Sequence, residues 1–324
     1  MRISLRMVET RDTSNQFPIA MLDEAVKILL EGQNRDGGWG AVSGSKSQTE
    51  VTALAMLALK SVGRSDADFA AERAEKWLLD RQNGDGSWPL GDGFKGASWA
   101  TALAMIALGE AKAARERLIN AGNWALEQQG STLPILARLV MLVTFQKNVV
   151  QLNRDLVGWS WTQGSASWVE PTSYFLIALK RLKADLSGKL FAERIRQGEL
   201  MVYDRMCQNG GWNYGNSLVY GDPLSPYPDI TAVALLALQD HRERRENQLS
   251  LSVLEKMARA TDSGLALGWS AIALSVYGRD SAELKRRLAE RFRRTRFLGE
   301  HKAIALGILA LTQGAEYFRF AQSS

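Results

Sequence analysis

Arg73-Ala-Glu-Lys-Trp77-Leu78-Leu-Asp-Arg-Gln82-Asn-Gly-Asp-Gly86-Ser87-Trp88 carries the most complete copy of a pattern that recurs along the chain. It starts as a helix and stops at a glycine-bearing turn closed by tryptophan. Glycine accepts the left-handed backbone that ends a helix. The glutamine side chain can bond backbone groups left free at the helix end. The tryptophan can stack across the junction and give its N–H to a partner. The pattern repeats as Ile28-Leu29…Gln33…Gly37-Gly38-Trp39 and as Tyr203…Gln208-Asn209-Gly210-Gly211-Trp212. A fourth copy, Trp124…Gln129-Gly130, lacks the closing tryptophan. The longest gap, from Gln129 to Gln208, predicts two shorter or degenerate units.

Each turn leads into an apolar stretch dense in Ala and Leu. These run from Glu50 to Leu59, Ser98 to Leu108, Leu133 to Phe145, Glu170 to Leu182, Asp229 to Leu238, Leu265 to Val276 and His301 to Leu311. Helices apolar nearly all round are buried on most sides. Amphipathic, charged helices alternate with them: Ile19 to Leu30, Ala67 to Asp80, Ala111 to Gln128, Lys189 to Met206, Leu249 to Ala260 and Ser281 to Arg294. The alternation predicts an all-α inner ring wrapped by an outer ring. Gly158 to Trp168 stands where an outer helix is expected. Residues 1-18 read as an N-terminal extension and 19-324 as one toroid domain.

The 324 residues are 46% hydrophobic and 23% charged, an ordinary globular balance able to bury a sizeable core. Cys207 is the single cysteine, so no disulfide forms within the chain and a reducing, cytoplasmic setting is expected. The N-terminus lacks a signal-peptide core, and no stretch is long and apolar enough to span a membrane. The net charge of +5 is concentrated in Lys285, Arg286, Arg287, Arg291, Arg293, Arg294 and Arg296. That run reads as a solvated helix face, with peripheral contact to an anionic membrane or an acidic partner as the functional alternative. No nucleic-acid motif accompanies it.

An acid stands two residues before a threonine at the start of three inner helices: Glu50-Val-Thr52, Glu170-Pro-Thr172 and Asp229-Ile-Thr231. Equivalent inner-helix ends share one mouth, so Glu50, Glu170 and Asp229 should approach each other there. First-turn acids also suit the helix dipole whatever their function.

The turn resembles the QW repeat of squalene and oxidosqualene cyclases, class II diterpene cyclases and protein prenyltransferase β subunits, from about Ile19 to about Gln313. The resemblance implies an (α/α)6 toroid with a central cavity lined by its inner helices. Class II terpenoid cyclases carry Asp-x-Asp-Asp-Thr at an inner-helix start, and its middle Asp protonates an alkene or epoxide. Tyr227-Pro228-Asp229-Ile230-Thr231 matches at the middle Asp and the Thr, which implies Asp229 as general acid. It departs at Tyr227 and Ile230, where the family has acids.

Carbocations need aromatic faces and dry surroundings. Trp99, Trp159, Trp161, Trp168, Tyr174, Tyr227 and Trp269 lie outside the recognised turn tryptophans, at or near inner-helix starts, and are the candidate substrate-binding residues. The prenyltransferase zinc pattern is missing. Thr231 replaces its cysteine, Cys207 has no spaced acid, and His241 and His301 are the only histidines. No metal and no cofactor are expected. Two readings stay open. One is an enzyme of the class II terpene cyclase kind binding an isoprenoid or other lipid. The other is a non-catalytic lipid- or partner-binding toroid, with a zinc-independent prenyltransferase-like protein as a further variant. A second helical subunit, self-association or a membrane would cover an open apolar mouth.

Overall fold

The computed structural model describes residues 16–111, 114–131 and 152–320. Twelve α-helices run through them. Six are apolar: α2 (Thr49–Lys60), α4 (Ala100–Leu108), α6 (Val169–Arg181), α8 (Pro228–Ala237), α10 (Gly264–Val276) and α12 (His301–Leu311). Six are amphipathic: α1 (Gln16–Gly32), α3 (Ser65–Asp80), α5 (Arg115–Glu127), α7 (Lys189–Asp204), α9 (Arg245–Ala260) and α11 (Ala282–Thr295).

Each apolar helix packs on the next, and α12 packs back on α2, which closes a ring. The amphipathic helices sit outside it: α3 on α2, α5 on α4, α7 on α6, α9 on α8, α11 on α10 and α1 on α12. The chain is therefore an (α/α)6 toroid. Small Ala and Gly side chains let the inner helices pack closely; the side of Gly268 that a Cβ would occupy is filled by Leu306 of α12. On α11, Leu284, Leu288 and Phe292 are buried, while Arg286 pairs with Glu283 and Glu290 on the outer face.

The inner helix expected over Leu133 to Phe145 lies outside the described residues, and α4 packs directly on α6. Between Gln129 and Gln208 the described residues hold one pair, α6 and α7, and the rest of the expected two units falls outside them. Gly158 to Trp168 does not replace an outer helix; it is the turn entering α6, and α5 is the outer helix before it. α1 also starts at Gln16, inside the expected extension.

A short 3₁₀ turn, Gly314–Phe318, packs on α2, α4, α10 and α12 at the far end of the ring. Gln239, just past α8, donates to the Phe318 carbonyl at 2.9 Å. Among the described residues, no helix is long and apolar enough to cross a membrane.

Candidate functional site: an acid and aromatic mouth

The threonines position the site. The backbone N–H of Trp39 donates to Thr52 Oγ1 at 2.9 Å, that of Trp88 to Thr101 at 2.8 Å, that of Trp159 to Thr172 at 2.9 Å and that of Trp212 to Thr231 at 2.9 Å. Each indole N–H then donates to a carbonyl in the last turns of the preceding outer helix: Leu29, Leu78, Ala125 and Val202. One tryptophan thus ties an outer-helix end to an inner-helix start. Gln33 and Gln82 add bonds to Gly37 and Gly86 and to the next outer helix, whereas Gln208 is exposed.

This geometry finds the missing tryptophan of the fourth copy. It is Trp159, separated from Gln129 by the chain between them. Trp159 is 1% exposed, carries the Arg194 guanidinium 4.2 Å above its ring, and stacks on Phe175. Its grouping outside the turn tryptophans is therefore corrected: it staples α5 to α6. The threonine register also defines a fourth mouth position. Two residues before Thr101 stands Trp99, so the equivalent positions are Glu50, Trp99, Glu170 and Asp229.

The three carboxylates share one electrostatic neighbourhood. Glu50 forms an ion pair with Lys302, the second residue of α12. Glu170 accepts from the Trp161 indole N–H at 3.3 Å. Burial pushes Glu170 up to about 7; Lys302 opposes this, while the charges of Glu50 and Asp229 add to it. Burial works against the Lys302 ammonium, yet Glu50 and Glu170 outweigh it and raise its pKa. Glu300, beside them, is raised by burial.

Aromatic rings form two groups around the acids. On the rim, Trp161 stacks on Trp168 at 5.1 Å, Tyr214 tilts against Trp161 at 5.7 Å, and Tyr227 follows Tyr214 at 5.7 Å. Tyr214 and Tyr227 are exposed. Deeper in, Tyr174 stacks on Trp99 at 5.8 Å and meets Trp269 at 5.9 Å, and Trp269 meets Phe318 edge-on at 5.1 Å. These rings, from α4, α6, α10 and the final 3₁₀ turn, pack as one aromatic column below the mouth. A smaller cavity of about 100 Å³ lies beside the mouth, bordered by Trp99, Trp124, Trp159, Trp161 and Phe175.

Lys302 and Glu300 were missed in the sequence. Lys302 had a signal: a cation in the first turn of an otherwise uncharged inner helix runs against the helix dipole. His301 is buried, with Nδ1 2.9 Å from the Gly40 carbonyl and a pKa lowered by burial, so it is structural. Away from the mouth, Glu199, Asp240 and His241 converge, and the buried Lys180 ammonium sits among them, 2.6 Å from Glu199 and 2.7 Å from Asp240.

The squalene-hopene cyclase C-terminal domain family matches residues 5–97. A variant of the type II terpene cyclase MstE from Scytonema, solved with its substrate geranylgeranyl dihydroxybenzoate, is 16% identical with a TM-score of 0.59, covering 94% of this chain and 99% of that one. The chain thus resembles that domain over its first third and shares its toroid fold with MstE. Its toroid is not confined to that chemistry. A cellobiose 2-epimerase from Spirochaeta thermophila is 11% identical with a TM-score of 0.59, covering 96% of this chain and 99% of that one. A mannosylglycerate hydrolase from Thermus thermophilus is 14% identical with a TM-score of 0.56, covering 90% and 99%. No curated protein matches in sequence.

Proposed function

We propose that the toroid binds an isoprenoid chain at its acid and aromatic mouth, and that Glu170 delivers the proton that starts cyclisation. One observation carries this reading: a carboxyl with a pKa of about 7 adjoins an unbroken row of aromatic faces. At neutral pH a substantial fraction of Glu170 keeps its proton. Asp229, the acid implied by the resemblance, is here the carboxylate that with Glu50 keeps the proton on Glu170. The proton adds to an alkene or epoxide, and the resulting cation is stabilised by the ring faces. The final cation loses a proton to water, and Glu170 regains one from solvent.

The binding of geranylgeranyl dihydroxybenzoate by MstE supports an isoprenoid ligand for this fold. Val42, Phe94, Leu224 and Leu298, all exposed on the loops entering inner helices, support cover by a second helical subunit, a second copy or a membrane surface. A non-catalytic lipid-binding toroid is the second reading. The packing of Trp99, Tyr174, Trp269 and Phe318 on one another favours it, because it leaves a ligand less room below the mouth.

The test is mass spectrometry of lipid extracted from the purified protein, followed by incubation with squalene and with geranylgeraniol. A cyclised product is expected, reduced at least ~100-fold in Glu170→Gln. Equal product from that variant ends the proton-donor assignment. Bound isoprenoid without turnover selects the second reading.

A further inference from the structure

Carboxyl groups outnumber cations at the mouth. Glu50, Glu170 and Glu300 act on one ammonium, Lys302, which Glu50 engages, and Asp229 acts on Glu170. Trp161 gives Glu170 a neutral N–H, not a charge. Among the described residues, no cation is paired with Asp229.

A second, independent observation is the Tyr174 hydroxyl. Tyr174 is fully buried, and its oxygen has no hydrogen-bond partner among the described residues. It lies four residues beyond Glu170 on α6, hence on the same face. Helical side chains lean toward the helix N-terminus, which here is the mouth. Its phenol accordingly lies in the fields of Glu170, Glu50 and Asp229. A buried hydroxyl left unpaired is destabilising, and a ligand's polar group would satisfy this one. The rim adds four rings, and their faces attract positive charge.

We infer that the mouth recognises an organic cation, a protonated alkylamine. Its ammonium lies among Asp229, Glu170 and the Tyr174 oxygen, and its apolar chain lies along Trp161, Trp168, Tyr214 and Tyr227. The inference rests on the isoprenoid reading for the chain and is independent of it for the head group. An alkylammonium has three N–H donors, and Asp229, a carboxyl oxygen of Glu170 and the phenol oxygen supply three acceptors. The same field repels diphosphate and carboxylate head groups, so prenyl diphosphates are poor ligands of this mouth. Recognition makes and breaks no bond.

Farnesylamine, farnesol, farnesyl diphosphate and butylamine are titrated into the whole protein at neutral pH, followed by tryptophan fluorescence and calorimetry. Farnesylamine is protonated there. It is expected to bind about tenfold or more tighter than farnesol, with the diphosphate weakest. Asp229→Asn and Tyr174→Phe are each expected to weaken farnesylamine about tenfold and to leave farnesol within about twofold. The farnesol affinity of each variant shows that its mouth is still folded. Equal affinity for farnesylamine and farnesol, tighter binding of the diphosphate, or equal losses for amine and alcohol in the variants overturns the inference and leaves the isoprenoid reading standing. Butylamine binding as tightly as farnesylamine sustains the cation site and overturns the isoprenoid chain.

Discussion

Glu170 behaves as it does because its surroundings disfavour its charge, which gives it a stability signature as well as a chemical one. Its folded pKa, about 7, lies above the ordinary value of 4.5. The stabilisation it contributes is therefore fully present below about 4.5 and is lost as pH rises through about 7. The melting temperature of the protein should fall across that window, and Glu170→Gln should flatten the fall. Lys302 holds the same pKa down, so Lys302→Met should move the Glu170 titration, read by NMR of labelled carboxyls, upward; an unchanged or lower midpoint contradicts the arrangement. Lys180 tests the second charge cluster. Lys180→Met strands Glu199 and Asp240 and should cost about 3 kcal/mol in urea unfolding, whereas Lys76→Met, at an exposed pair with Asp80, should cost under about 1 kcal/mol. Glu50, Glu170 and Asp229 were legible because the threonine register repeats in the sequence. Glu300 was not, because nothing local distinguishes a half-buried acid from any other.

The tryptophan-to-threonine tie is the unit from which the helices are hung, and its spacing separates fixed parts from free ones. Tryptophan and threonine are 13 residues apart in three copies and 19 apart in the copy entering α8. The surplus is a small hairpin, β1 (Leu218–Val219) paired antiparallel with β2 (Asp222–Pro223). Excising Leu218–Pro223 restores the shorter spacing. The melting temperature should change by only a few degrees, while ligand affinity shifts, since Tyr214 and Tyr227 flank the hairpin. A collapse of the fold would mean the hairpin braces α8. The same tie explains what the linear pattern hid. A turn split by inserted chain keeps its three-dimensional bonds, as Trp159 does with Ala125 and Thr172, but loses its interval, and the eye reads intervals. Outer helices were legible throughout, because their amphipathic period survives any change in loop length.

At the scale of the molecule, an alternating apolar and amphipathic pattern implied two concentric layers, and it left open what fills the centre. Filling depends on which residues meet across the ring, and those contacts are far apart in sequence. Trp99, Tyr174, Trp269 and Phe318 come from α4, α6, α10 and the final 3₁₀ turn. Phe318→Ala should cost about 3–5 kcal/mol in chemical denaturation by opening a void under Trp269. If that void joins the mouth, longer prenyl chains should gain affinity relative to short ones. Closure has another effect. A stack of repeats with free ends can fray from either end, each unit depending only on its neighbours; a ring has no end from which to fray. The seam where α12 meets α2 is what closes it, and the Lys302–Glu50 pair lies across that seam. The one ammonium of the mouth is therefore also the clasp of the hoop, and any guest that competes for Glu50 tugs on the joint that keeps the circle shut.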